Sequence, residues 1–285
     1  MGSETTDSSK SIAKPVPTAV AISARDAWYP PAKRDRAVLR QLVNKDFKLK
    51  YRRSALGVAW SVLNPLLMMI VMAVVFTAFL GNNDPSIGNY PLYLILGNTA
   101  FQLMTDATTM GMRSIIDASS LLKKVKINRV VFPVQKVLFA VLNYGFSLIA
   151  VALVMIWFRI PLTWLALLLP VAVGLLAVFC IGLSLFLSAA AVFFRDVIHL
   201  WSVVITAWTY ATPLFYSTSI LSPWMLNLEK FNPMYLYITF IRDILLWQQL
   251  PTRGVVLGCV VAAFGSLAIG YAVFHHNERK FILYI

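Results

Sequence analysis

Polar side chains able to do chemistry inside an apolar setting are concentrated in one stretch of the chain, Tyr90–Met112. They are Asn98, Gln102, Thr105, Asp106, Thr108 and Thr109. A carboxylate such as Asp106 could relay protons through a membrane, but no second buried carboxylate or histidine completes a relay. We therefore favour a structural role, with Asp106 near the cytoplasmic end of a helix and hydrogen-bonded by the threonines.

Motifs for enzymatic catalysis are absent from the sequence. It contains no GxxxxGK[ST] phosphate loop, no HExxH and no CxxC. His275 and His276 follow an apolar stretch, where a surface role is expected rather than a metal site. Cys180 and Cys259 lie inside apolar stretches and imply no disulfide. The sequence predicts a protein that is not an enzyme and binds no cofactor or metal itself.

Long apolar stretches must position these residues, and they fill most of the chain. The six stretches are Val58–Leu80, Tyr90–Met112, Val130–Phe158, Thr163–Val192, Leu200–Tyr216 and Gly254–Phe274. A hydrocarbon core of roughly 30 Å takes about 20 helical residues to cross, and helices satisfy their backbone groups within one segment in lipid. The sequence therefore predicts an all-α integral membrane protein with six transmembrane helices.

Positive charge is distributed unevenly between the two sides that this topology defines. The chain has 25 Lys and Arg against 12 Asp and Glu, an excess that could also indicate nucleic-acid binding. Of the 25 basic residues, 21 fall on the side that carries both termini and four on the other. Because positive charge stays in the cytoplasm, both termini are predicted to be cytoplasmic, and no nucleic-acid partner is expected.

The stretch Met234–Trp247 tests this topology, because it is apolar but short and contains Arg242 and Asp243. Stretches of about 10–14 apolar residues are typical of re-entrant or interfacial segments. A seventh crossing would also place the basic C-terminal end outside. We expect residues 217–250 to form external helices that do not cross.

The region before the first apolar stretch divides into two parts. Residues 1–32 are rich in Ser, Thr, Pro and Ala, and predict a disordered cytoplasmic tail. Residues 33–57 precede the transmembrane domain, residues 58–285, and repeat apolar side chains at helical spacing opposite a basic face. An amphipathic helix in the cytoplasmic interface is predicted, and packing on a soluble partner is the alternative.

Two cytoplasmic segments combine charge with helix-forming residues. The segment between the second and third stretches is basic, and Ser119 or Ser120 is expected to cap a helix there. Arg195 and Asp196 follow the fourth stretch as a partly desolvated pair. They act either as a helix-end anchor or as a network that holds neighbouring helix ends in register.

Several of these segments carry the motifs of one family. The opening YRRSALGVAWSVLNPL from Tyr51 to Leu66 resembles the signature of type-2 ABC exporter permeases that move lipid-linked O-antigens, capsules and teichoic acids. SSLLKKVK from Ser119 to Lys126, followed by Phe132-Pro133, is similar to their cytoplasmic coupling segment. FRDV from Phe194 and NPM from Asn232 resemble two further, weaker motifs.

The resemblance implies a homodimer of six-span permeases in the bacterial cytoplasmic membrane. Each permease would bind a separate cytoplasmic ABC ATPase that carries ATP and magnesium, and the substrate would be a lipid-linked glycan or teichoic acid. The implied coupling residues are Ser119, Ser120, Leu121, Leu122, Lys123, Lys124, Val125, Lys126, Arg195 and Asp196. The implied gate helix residues are Leu39, Leu42, Val43, Phe47, Tyr51, Arg52 and Arg53.

Other kinds of membrane protein stay open as alternatives. A drug or small-lipid efflux permease of the same superfamily usually lacks the Tyr51–Pro65 opening. An integral-membrane transferase acting on lipid-linked sugars needs clustered acidic or histidine residues, and the external side has only isolated Asp84, Glu229 and Asp243. An ion-coupled transporter is opposed by the lack of buried charge pairs.

Overall fold

A computed structural model of the chain describes residues 31–51, 57–80, 87–123 and 127–284. Over these ranges the chain is helical and forms no strand, which confirms the all-α class. The helices are α1 (Pro31–Tyr51), α2 (Ala59–Leu80), α3 (Tyr90–Asp117), α4 (Ser119–Leu122), α5 (Val131–Trp157), α6 (Leu169–Phe193), α7 (Val197–Ala211), α8 (Pro223–Glu229), α9 (Pro233–Leu245), α10 (Arg253–Asn277) and α11 (Phe281–Tyr284). The predicted tail, residues 1–32, lies outside the described residues except for its last two.

Each predicted apolar stretch overlaps a helix, although the fifth extends past the end of α7 and not every helix is long and apolar enough to cross a membrane on that basis alone. Four segments of the described residues meet both conditions: Ala59–Phe76, Val131–Trp157, Trp164–Phe193 and Arg253–Lys280. Helix α3 has 28 residues but is more polar, and α7 is apolar but has only 15 residues. A multi-pass membrane protein is therefore supported at the level of four candidate spans.

The bundle is organised around α3, α5 and α6, which pack against one another. Helix α10 lies along α6, α2 packs on α3 and α5, and α1 packs on α5. Helix α9 closes the opposite end of the bundle by contacting α3 and α10. This arrangement gives α3 two distinct ends, one next to α1 and α4 and the other next to α9.

The crossing of α6 and α10 depends on glycine. A Cβ atom on Gly270 would lie 1.9 Å from the carbonyl oxygen of Gly182. The Ser266 hydroxyl donates a hydrogen bond of 2.9 Å to the carbonyl of Phe179 across the same contact. Small residues let two membrane helices approach backbone to backbone and gain van der Waals contact, which fixes α10 against the bundle.

The end of the bundle next to α1 has its own apolar core, here called the basal cluster. Its buried members are Ile115, Ile127, Val131, Phe132, Leu185, Ala189, Val192, Phe274 and Phe281. These residues come from the C-terminal parts of α3, α6 and α10, from the segment just before α5 and its first turn, and from α11. The basal cluster therefore joins the helix ends on which the predicted coupling and gate residues are placed.

Candidate functional site

A polar cavity of about 520 Å³ lies between α2, α3 and α5. Helix α3 contributes Asn98, Gln102 and Asp106, which recur every fourth residue and so share one face. Helix α2 contributes Ser61 and Asn64, and helix α5 contributes Asn143 and Ser147, each pair again at helical spacing. Because polar groups at mid-membrane are costly unless they face protein or water, this convergence marks the cavity as the candidate functional site.

Proline helps to open the wall of the cavity that α2 forms. Pro65 has no backbone N–H, so the carbonyl of Ser61, four residues earlier, loses its usual partner within the helix. The Ser147 hydroxyl of α5 donates a hydrogen bond of 3.3 Å to that carbonyl. The sequence thus pairs a helix defect in α2 with a hydroxyl on the neighbouring helix.

Asp106 lies in this cavity. From the sequence, threonines were expected to bond to its carboxylate, but no threonine hydroxyl of the described residues does so. Its carboxylate accepts a hydrogen bond of 2.8 Å from the Gln102 side chain. The Thr108 hydroxyl donates instead to the carbonyl of Met104, four residues back, at 2.8 Å. The expectation failed because a threonine in a helix reaches its own backbone more readily than a neighbouring side chain.

Two larger side chains also line the cavity. Lys50, from the last turn of α1, is one of them, and its ammonium lies 5.7 Å from the centroid of the Phe139 ring. Trp60 also lines the cavity and is 48% exposed. Asn64 and Gln102 are exposed in the single chain, so the cavity opens between α2 and α3.

Helix α1 lies against the bundle with the face that the sequence predicted. Val43 is buried, and Leu39 and Leu42 pack on the basal cluster. The Phe47 ring lies 5.8 Å from that of Phe146. Tyr51 is the last residue of α1, while Arg52 and Arg53 lie outside the described residues. The apolar face of this helix is thus occupied by its own chain.

An ion pair fastens the same helix to α5. The Lys136 ammonium lies 2.5 Å from the Asp46 carboxylate, which also accepts a hydrogen bond from the Gln135 side chain. Both charged side chains are largely shielded, so the pair is less screened than one at the surface. A movement of α1 would therefore be transmitted to the start of α5.

The predicted coupling segment contains the four-residue helix α4, and its cap differs from the expected one. The N-cap residue is Ala118, and neither Ser119 nor Ser120 provides a capping hydrogen bond. The reason is continuity: α4 follows α3 after one residue, and the N–H of Ala118 still bonds to the Ser114 carbonyl at 3.2 Å. No capping hydroxyl is needed because the turn before α4 is already helical.

The apolar side chains of α4 also have a different role from its polar ones. Leu121 and Leu122 are half-buried against the basal cluster. Ser120 and Lys123 are exposed, while Lys124, Val125 and Lys126 lie outside the described residues. The surface that α4 exposes is therefore its polar one.

Arg195 and Asp196 lie between α6 and α7, and both are exposed. The Asp196 carbonyl accepts hydrogen bonds from the N–H groups of His199 and Leu200 at 3.0 Å. Within the part of the chain that the structure describes, neither side chain forms an ion pair or hydrogen bond. Among the described residues the pair has no partner on the interfacial helix, and the helix-end anchor and the contact with an ATPase both stay predictions.

The opposite end of the bundle contains a buried polar group that sequence reasoning missed, here called the Arg242 cluster. Arg242 is only 2% exposed, and its guanidinium donates to the carbonyls of Pro213 at 2.9 Å, Leu214 at 3.1 Å and Tyr93 at 3.1 Å. It also lies 3.4 Å from the centroid of the Tyr93 ring. The cluster fastens α9 and the chain after α7 to the start of α3.

A second group of hydrogen bonds supports this end. The Asn232 carbonyl oxygen accepts from the indole of Trp208 at 2.8 Å, and its amide donates to the Thr212 hydroxyl at 3.0 Å and the Glu229 carboxylate at 2.9 Å. Burial raises the pKa of Glu229, against a smaller lowering by the Asn232 bond. The motif NPM predicted a re-entrant region, but not that its asparagine joins α7 to α8.

Metal binding is not supported by the described residues. They contain no group of three or more His, Cys, Asp and Glu side chains that could hold an ion. His275 pairs instead with Glu278 at 3.0 Å. The polar groups of the candidate site are thus amides, hydroxyls, one carboxylate and the Lys50 ammonium.

Comparison with known proteins places these features in context. The sequence model of a family described as ABC-2 type transporter matches residues 37–246. An "O-antigen export system permease protein RfbA" of Myxococcus xanthus is 29% identical over 248 residues, which cover 86% of this chain and 94% of that protein. A protein of the same name from Klebsiella pneumoniae is 28% identical over 247 residues, covering 84% of this chain and 92% of that protein.

Proposed function

This chain belongs to the ABC-2 type transporter family, and we propose that it is the permease subunit of an ATP-driven exporter of a lipid-linked cell-surface polysaccharide. The observation that carries the proposal is the similarity to O-antigen export permeases over nearly their whole length. The polar cavity agrees with it, since a permease for a hydrophilic polymer must keep polar groups within the bilayer.

The proposed topology has six crossings, made by α2, α3, α5, α6, α7 and α10. Helix α3 qualifies because its polar face lines the cavity and need not meet lipid. Helix α7, with 15 residues, covers about 22 Å, and the chain beyond it is held by the Arg242 cluster. Helices α8 and α9 stay on the external side, and α1, α4 and both termini lie in the cytoplasm, as the charge distribution favours.

The working unit is a homodimer in the bacterial cytoplasmic membrane, with a cytoplasmic ABC ATPase bound to each permease. ATP and magnesium bind to that ATPase and not to this chain. The exposed polar residues next to the basal cluster, Ser120, Lys123, Arg195 and Asp196, support a docking surface there. Leu121 and Leu122 connect that surface to the bundle, because they pack on the basal cluster.

Deleting the gene tests the export function directly. Surface polysaccharide should disappear and lipid-linked glycan should accumulate inside the cell, and the wild-type gene should restore export. Polysaccharide that still reaches the surface at the wild-type level would contradict the proposal.

Co-purification tests the proposed ATPase surface. Lys123→Glu should reduce the amount of ATPase recovered with the tagged permease, because it reverses an exposed charge beside α4. Lys230→Glu is the matched control, since Lys230 is exposed at the opposite end of the bundle. Equal recovery with both variants would remove α4 from the docking surface.

A further inference from the structure

The cavity between α2, α3 and α5 has the composition of a binding site and not of a packing defect. The Asn64 and Asn98 side chains form no hydrogen bond with another residue of the part that the structure describes. Each carboxamide therefore keeps both a donor and an acceptor for a ligand. An unpaired amide at membrane depth is costly unless it faces water, protein or a ligand, so two of them in one cavity point to an occupant.

Charge narrows the class of that occupant. Asp106 places a carboxylate in the wall, which repels phosphate and pyrophosphate groups. Among the described residues that line the cavity, Lys50 is the one cation, and its ammonium lies 5.7 Å from the centroid of the Phe139 ring. A phosphate site would show several cationic donors or a helix N-terminus. The interior suits an uncharged ligand that both donates and accepts hydrogen bonds.

The volume of the cavity and its aromatic lining further limit the chemical class of the ligand. A volume of about 520 Å³ falls within the range of roughly 300–1,000 Å³ that small-molecule pockets span. Trp60 lines the opening with an exposed ring, and flat aromatic faces pack on the C–H faces of sugar rings. An acyl or prenyl chain would instead leave the amides of Asn64 and Asn98 without a hydrogen-bond partner.

We propose that this cavity is a saccharide-binding subsite, in which one short neutral segment of the glycan bonds to Asn64, Asn98, Gln102 and Asp106 and stacks on Trp60. The proposal rests on the export function stated above, and it adds the location of a sugar-binding site within one permease chain. Because conduction needs binding that is weak enough to reverse, a half-open cavity with a few hydrogen bonds suits a stepwise passage.

Cysteine protection tests the subsite in the full complex. Asn64→Cys and Asn98→Cys permeases are placed in cells whose partner ATPase cannot hydrolyse ATP, so that glycan arrests in the permease. A small membrane-permeant methanethiosulfonate is then applied to cells that make the glycan and to cells in which its first sugar cannot be attached. The native Cys180 and Cys259 are buried, so background labelling is low.

Both cavity cysteines should react about tenfold more slowly in cells that make the glycan, whereas Asn128→Cys, exposed outside the cavity, should react equally in both. Equal labelling of the cavity cysteines in both strains overturns the proposal, whether they react because the cavity holds water or fail to react because protein covers it. The export function is scored separately by surface glycan in the deletion strain, so the two failures are distinguishable.

A kinetic measurement tests the same subsite without cysteine labelling. In proteoliposomes with the partner ATPase, Asn98→Leu should raise the concentration of extracted lipid-linked glycan needed for half-maximal ATPase stimulation by roughly two- to tenfold, the value of one hydrogen bond. The maximal rate should be unchanged. Thr105→Val, on the same helix but outside the lining, is the control. An unchanged half-maximal concentration for Asn98→Leu overturns the subsite.

Discussion

The cavity and the Arg242 cluster are both polar regions inside an apolar bundle, yet they treat their polar groups in opposite ways. Arg242 is buried and directs its two terminal nitrogens at three backbone carbonyls. In the cavity, Asn64 and Gln102 are exposed. A polar group that holds a fold together is enclosed with its partners, whereas one that receives a ligand is left open. The contrast separates a structural site from a functional one without reference to conservation.

Arg242→Leu should produce the largest effect, because it removes the donor shared by three carbonyls. Each buried carbonyl left unpaired costs about 1–3 kcal/mol, and removal of the buried charge offsets part of that. We expect a loss of about 2–4 kcal/mol in the free energy of unfolding, measured by thermal unfolding in lipid nanodiscs. Arg253→Leu is the matched control, since Arg253 is exposed, and it should change stability by less than about 0.5 kcal/mol.

Equal losses for the two arginine variants would show that the Arg242 cluster contributes nothing specific. The contrast with the cavity would then be wrong in assigning Arg242 a structural role.

Gly97→Ala disturbs the same cluster without removing its charge, and its effect should be smaller. A Cβ atom at position 97 would lie 2.5 Å from a terminal nitrogen of Arg242, so the guanidinium must shift away from its carbonyls. Overpacking of this kind costs about 1–3 kcal/mol. Gly265→Ala is the control, because a Cβ there meets nothing within 4 Å. The pair is compared by the midpoint of thermal unfolding, and equal midpoints would mean that the guanidinium tolerates displacement.

Helix positions could be predicted from the sequence because length and apolarity determine what can cross a bilayer. The apolar face of α1 was equally predictable, since Leu39, Leu42 and Val43 repeat at helical spacing and the structure places them against the bundle. The number of crossings was harder to support, because polar residues lower the apolarity of α3 and α7 is short.

The two polar regions were less accessible to sequence reasoning for different physical reasons. Arg242 was read only as a charge within a short apolar stretch, because its partners are backbone carbonyls, which leave no trace in side-chain patterns. The polar face of α3 was visible as Asn98, Gln102 and Asp106, spaced by four. The cavity walls formed by α2 and α5 could not be recognised from the sequence. Asn64 and Asn143 can be assigned to the cavity only once α2 and α5 are known to pack on α3.

The pH dependence of stability tests Glu229, a partly buried carboxyl group whose pKa is raised by burial. A carboxyl group with a folded-state pKa above its unfolded value favours the protonated form in the folded protein, so stability increases as the pH falls through the folded pKa and decreases as it rises. The midpoint of thermal unfolding should rise slightly between pH 7 and pH 5. Glu229→Gln should weaken that dependence and raise the midpoint at pH 7. A steeper dependence in the variant would contradict burial as the cause.

Asn64→Leu should have the smallest effect on stability and so gives the sharpest test of the contrast. Asn64 is exposed and bonds to no other residue of the described ranges, so the substitution should change the free energy of unfolding by less than about 0.5 kcal/mol. Export should nevertheless fall, because the leucine removes a donor and an acceptor from the cavity wall. Both are measured on one preparation, by thermal unfolding in nanodiscs and by glycan transport in proteoliposomes. A residue that is open for a ligand should change transport without changing the stability of the fold. If Asn64→Leu instead lowers stability, and the protein that remains folded exports normally, Asn64 has a structural role like that of Arg242.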